Sequence, residues 1–139
     1  MRLQSLLITS AVATGLANPV MAQQSTHRYA IFFKYTNQAV KAMTENPQDR
    51  AAAAAKLSES LGGKMEGIYF FPTNGEYDGM TIGQVPSDAA QEALILILRS
   101  TGNFARTESI PLMSADEFKA AMEKAKGTTT TYTAPTATR

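Results

Sequence analysis

The chain has no cysteine, only one histidine and almost no excess of charge. Without cysteine there are no disulfides and no thiolate metal sites. One histidine, His27, with no patterned carboxylates near it makes no metal motif, and nothing in the residues implies a cofactor. The 13 basic side chains are matched by 12 acidic ones, so the basic footprint of a nucleic-acid binder is lacking. There is no Gly-rich phosphate loop, no Gly-x-Ser-x-Gly elbow and no nucleophile–histidine pairing, which disfavours nucleotide chemistry and nucleophilic hydrolysis. No apolar run reaches the roughly 20 residues that a membrane-crossing helix needs.

What is present begins with the pattern of an export signal. Arg2 supplies a short positive end, and Leu3 to Ala17 is uncharged and mostly apolar. Asn18-Pro19 breaks any helix, and Val20-Met21-Ala22 offers small residues for cleavage. Cleavage after Ala22 predicts a periplasmic or secreted protein with a Sec-type leader. No Cys follows Ala22, so no lipid anchor is indicated, and no stable membrane insertion is expected after cleavage. Arg2 is the only charge removed, which leaves 12 basic and 12 acidic side chains.

Arg28 to Tyr35 reads as a first strand, with Tyr29/Ile31/Phe33/Tyr35 on one face and Ala30/Phe32 on the other. Both faces are apolar, which predicts cover on both sides. Thr36 or Asn37 caps a short helix carrying Val40 and Met43. Asn46 as cap and Pro47 at the first position restart a helix through Ala51–Ala55, with Leu57 and Leu61 on its inner face. Gly62-Gly63 ends it. Lys64 to Phe71 and Asp78 to Val85 are the second and third strands. Asp88 with Gln91 starts a helix that runs through six apolar residues to Gly102, apolar nearly all round. Asn103 to Met113 is the fourth strand. Ser114-Ala-Asp-Glu117 is a capping box opening a last helix, with Phe118, Ala121, Met122 and Ala125 in a stripe. The Thr-rich end, from residue 127 to Arg139, is expected to be a disordered tail.

This order predicts an α+β fold: a ferredoxin-like βαββαβ sandwich with a four-stranded antiparallel sheet and a C-terminal helix, spanning residues 28–126. Helices cover one sheet face. The second apolar face of so small a domain predicts a homodimer packed sheet against sheet.

Between the second and third strands stands Gly75-Glu76-Tyr77-Asp78, two carboxylates and a phenol at one hairpin end. Together with Arg50, Lys56-Leu57, Leu61-Gly62-Gly63-Lys64, Gly67-Ile68-Tyr69-Phe70 and Gly102-Asn103-Phe104-Ala105-Arg106-Thr107-Glu108, this stretch resembles the GYD domain family. The likeness spans about Tyr29 to Glu117. It implies a ferredoxin-like fold related in shape to the dimeric α/β barrels, and no agreed chemistry. Two departures stand out: the link Phe71-Pro72-Thr73-Asn74 before Gly75 is longer than usual, and Ala105 is an extra residue with the look of a bulge.

The candidate side chains each carry two readings. Asp78 is a general base if partly buried, or a turn residue accepting backbone N–H bonds. Strand alternation groups Asp78 with Met80 and Ile82, and Tyr77 with Gly79, Thr81 and Gly83. Gly79 and Gly83, across from Gly67, either open a cavity or admit a close neighbour. Arg106 binds an anionic ligand or pairs with Glu108. Glu76, Tyr77, Asp78, Arg106 and Tyr69 are the candidate ligand-binding residues, and Asp78 and Tyr77 the candidate catalytic ones. The expected function is an exported dimeric module, structural or binding a small organic ligand. The alternative is a cofactor-free oxygenase or isomerase of the dimeric α/β barrel type with Asp78 as base.

Overall fold

The structure is a computed structural model that describes residues 27–73 and 75–128. The expected export signal, Asn74 of the expected turn and all but the start of the Thr-rich tail lie outside these residues. The element order is β1 (His27–Tyr35), α1 (Asn37–Glu45), α2 (Arg50–Ser60), β2 (Lys64–Phe70), β3 (Gly79–Val85), α3 (Asp88–Ser100), β4 (Phe104–Pro111) and α4 (Ala115–Gly127). The four strands form one sheet in the order β2-β3-β1-β4. Every pairing is antiparallel. This is the ferredoxin-like α+β sandwich that the element order predicts.

Helix starts follow the side chains that satisfy free N–H groups. The Thr36 side chain caps α1, and the Ser114 box caps α4 with Glu117. Two expected starts move. Asp49, not Asn46, caps α2 by accepting from Ala52 N, and Ser87, not Asp88, caps α3 by accepting from Ala90 N. Asp88 then sits in the first turn, where its charge suits the helix dipole. At the end of α2, Gly62 adopts φ 73°, which glycine reaches cheaply, and Gly62 and Gly63 N–H groups return to Glu59 and Ser58 carbonyls.

The core lies between the helices and one face of the sheet. Ile31, Leu94 and Ile95 are buried together with Leu57, Leu61 and Leu98 around them. Phe33, Tyr35 and Ala39 form a second cluster with Met43, Ile68 and Phe104. Each such aliphatic or aromatic side chain contributes roughly 1.5–3 kcal/mol when fully buried. On α1 it is Ala39 that is buried beside Met43, while Val40 is 45% exposed. On α3 the expectation of all-round burial fails, because only the sheet-facing side is covered and Leu96 is 56% exposed.

Two bulges set which side chains face where. In β2, Met65 pairs with Gly83 but Gly67 with Ile82, so Glu66 is the extra residue. Met65 therefore lies on the helix face with Tyr29 and Gly83, and Tyr69 on the other face with Met80 and Phe32, correcting the simple alternation. In β4, Lys34 pairs with Arg106 and Tyr35 with Phe104, so Ala105 is indeed bulged out.

Among the described residues no helix packs across the other sheet face. It carries Ala30, Phe32, Tyr69, Met80, Ile82 and Ile110, the residues in register with one another across the four strands. None of α4 is buried, and its Phe118 and Met122 stand exposed.

Candidate functional site: the Gly75–Asp78 corner and the cavity under the sheet

β3 stops pairing with β1 at Gly79, so the Tyr35 N–H just beyond would have no ladder partner on that side. Asp78 supplies one. Its carboxylate oxygen Oδ2 accepts from Tyr35 N at 2.8 Å, and its own N–H donates to Phe33 O at 2.9 Å. Its carbonyl accepts from Phe71 N at 2.8 Å, which closes the hairpin. Asp78 thus ties three chain segments together.

Tyr77 precedes the regular strand and escapes its alternation. Its ring packs on Phe32, centroids 5.5 Å apart, so it lies on the open sheet face and not with Gly79. Its hydroxyl donates to the Glu108 carboxylate, and the Arg106 guanidinium sits 4.9 Å from its ring centre. The hydrogen bond to Glu108 first, and then desolvation, hold the phenol above its usual pKa. Arg106 also donates to Glu76 at 2.8 Å and to Glu108 at 3.3 Å. Lys34 Nζ donates to the Gly75 carbonyl at 2.5 Å. Glu76, Tyr77 and Arg106 are therefore brought together, with Glu108 as their fourth member. Tyr69 stands apart, in the same cross-strand row as Phe32 with Met80 between them.

The strand glycines Gly67, Gly79 and Gly83 leave no room for a side chain. A Cβ on Gly79 would lie 2.4 Å from Tyr69 O and 2.7 Å from Phe33 Cζ, and one on Gly83 would meet Lys64 O at 2.9 Å. On Gly67 the Tyr69 hydroxyl would be 3.0 Å away. The strand glycines admit close neighbours.

Elsewhere on the sheet, Glu66 uses its bulged position to accept from Arg28 at 2.5 Å and from Gln84 at 2.9 Å. These bonds, Arg28 first, hold its carboxyl below the usual range. Glu66 and Glu76 accordingly serve different arginines. His27 opens β1 and bonds Asp88, which also accepts from Tyr29 Oη at 2.7 Å. Among the described residues no three His, Asp or Glu side chains gather as a metal site.

A second feature was not legible in any motif. Between the sheet and the helices lies a partly open, mainly apolar cavity of about 110 Å³. Ile31, Phe33, Leu57, Ile68, Leu94 and Leu98 line it, with Arg50 from the first turn of α2. Arg50 Nη1 donates to Gln48 Oε1 at 3.2 Å, but its Nε is buried with no acceptor among the described residues. Glu76, Tyr77, Asp78, Arg106 and Tyr69 are absent from the lining.

No curated protein matches the chain. Among solved structures, PA3566 from Pseudomonas aeruginosa is similar at 16% identity and a TM-score of 0.44, covering 67% of this chain and 98% of that one. The 30S ribosomal protein S6 from Thermotoga maritima is similar at 17% identity and a TM-score of 0.42, covering 74% of this chain and 98% of that one. The GYD domain pattern matches residues 29–122, which takes in every strand and helix that builds both the corner and the cavity: the chain belongs to the GYD domain family.

Proposed function

We propose that the protein is an exported, homodimeric module that holds a small organic ligand between its sheet and the helices that cover it. The observation that carries this reading is the apolar cavity of about 110 Å³. Protein interiors are close-packed, with few voids larger than a water molecule. An engineered apolar cavity of about 150 Å³ takes up benzene, so this one suits a smaller hydrocarbon body. Burying about five methylene-sized groups at about 0.8 kcal/mol each gives about 4 kcal/mol, a ligand of millimolar affinity before any polar contact. Asp78 has no part in this. Its carboxylate is engaged by the Tyr35 N–H and lies outside the cavity lining, so the reading assigns it to holding β1 and not to proton transfer.

Homodimerisation is supported by the uncovered sheet face and by α4, whose exposed Phe118 and Met122 have no cover within the described residues. Apolar surface of that kind marks an interaction site, and a second copy offers a matching face. Export rests on the leader pattern of the first 22 residues.

Native mass spectrometry of protein purified from its host tests the ligand. A co-purifying small molecule is expected, and its loss from Ala54→Leu, which fills the cavity, locates it. A native chain that carries no added mass and takes up no small apolar compound overturns the reading. Sedimentation at micromolar concentration is expected to give a dimer, and a monomer there removes the sheet-to-sheet assembly.

A further inference from the structure

We infer that the ligand is a small aliphatic monocarboxylate and that Arg50 is its charge partner. This rests on the cavity reading above. Arg50 is the charged side chain in the cavity lining, and its Nε is buried without an acceptor. A buried donor left unpaired is costly, and one on a permanently charged group more so. The Arg50 Nη1 is already drawn to Gln48, so a carboxylate entering the cavity pairs with the edge that carries Nε once the side chain turns that edge, now covered by neighbouring atoms, toward the cavity. That edge of a guanidinium takes a carboxylate through two parallel N–H···O bonds.

The rest of the lining selects the body of the ligand. Ile31, Phe33, Leu57, Ile68, Leu94 and Leu98 offer hydrocarbon contact and no hydrogen bonds from their side chains. Gln91, the buried amide of the lining, is already donating to Ser109 Oγ at 2.8 Å. One cation beside a mainly apolar chamber, with few hydroxyl residues, Tyr35, Ser58 and Thr81 among them, fits one anionic headgroup on a compact hydrocarbon. The volume of about 110 Å³ fits a body of about three to five carbons. A sugar would set most of its hydroxyls against hydrocarbon, and a free inorganic anion would make no use of the apolar wall.

The test compares isovalerate with isoamyl alcohol, which share the branched five-carbon skeleton and differ in charge. Both are titrated into the full chain by calorimetry. The native protein is expected to bind the acid at least tenfold more tightly than the alcohol. Arg50→Gln is expected to bring the acid down to the level of the alcohol and to change the alcohol by less than threefold. Ala54→Leu is expected to abolish both. If the native protein binds both equally, or if Arg50→Gln keeps the preference for the acid, the carboxylate inference is overturned and the cavity reading stands. If neither binds, or if both still bind Ala54→Leu, the cavity reading falls as well. Should Arg50→Gln fail to fold, the ratio measured on the native protein decides.

Discussion

The Gly75–Asp78 corner and the cavity beneath the sheet differ in how their polar groups are spent. At the corner, donors and acceptors answer one another. Asp78 takes the Tyr35 N–H, and Arg106 joins Glu76, Glu108 and the Tyr77 ring. Arg50 lines the cavity, and its Nε is buried with no acceptor among the described residues. A cluster rich in chemical groups is thus the closed, structural one. The sparse region, with one cation in its lining, is the one to which the proposed ligand is assigned. The number of titratable groups at a site says less than whether they are already satisfied.

The largest effect that tests this contrast is on packing. Gly79→Ala is expected to destabilise by about 3 kcal/mol, because the new methyl must displace a strand carbonyl. Ala54→Leu, which grows into the cavity, is expected to stay within about 1 kcal/mol of the native protein. Chemical denaturation measures both, and the reverse order would mean that the corner is loose and the cavity filled. Next in size is Asp78→Ala, which orphans the part-buried Tyr35 N–H. A loss of about 1–3 kcal/mol is expected, or roughly 5–15 °C in melting temperature, with ligand affinity unchanged. An unaltered melting temperature together with lost binding would make Asp78 a ligand residue and erase the contrast.

The smallest effect is a pH dependence. The Tyr77 phenol has its pKa raised from 10.0 by donation to Glu108, so the folded state favours the protonated form. Its contribution is fully present below pH 10 and is lost as pH rises through the folded value. The stability gap between the native protein and Tyr77→Phe is therefore expected to be constant at neutral pH and to shrink above pH 10, as followed by alkaline melting curves. No gap at neutral pH would show that the ring packing on Phe32, which Tyr77→Phe keeps, and not the hydrogen bond, carries the role of Tyr77.

Much of the architecture was legible because it is written in short-range signals. The capping box at Ser114 and Gly62 at the end of α2 were read from neighbouring residues alone, and the extra Ala105 in β4 from its departure from the GYD pattern. Where two cap candidates competed, the local signal failed. Asn46 and Asp88 look as good as Asp49 and Ser87, and the choice falls to which start lets the helix meet the sheet. The side of a residue on the sheet was legible only inside regular strand. The bulge at Glu66 turned Met65 to the helices, and Tyr77, one residue outside the β1–β3 ladder, swung onto the open face. The corner was legible as a cluster but not as a closed one, since Glu76, Arg106 and Glu108 meet across 30 and 2 residues of sequence.

By itself the sequence determined the order of strands and helices, the GYD family and the presence of a second apolar sheet face, because periodicity and turn chemistry act over a few residues. Only the tertiary structure decided that Asp78 serves the end of β1, that the strand glycines are filled by their neighbours, and that Arg50 lines a cavity. Those outcomes depend on distances between segments far apart in the chain, and burial turns such distances into free energy: a paired group is neutralised, and an unpaired one remains available.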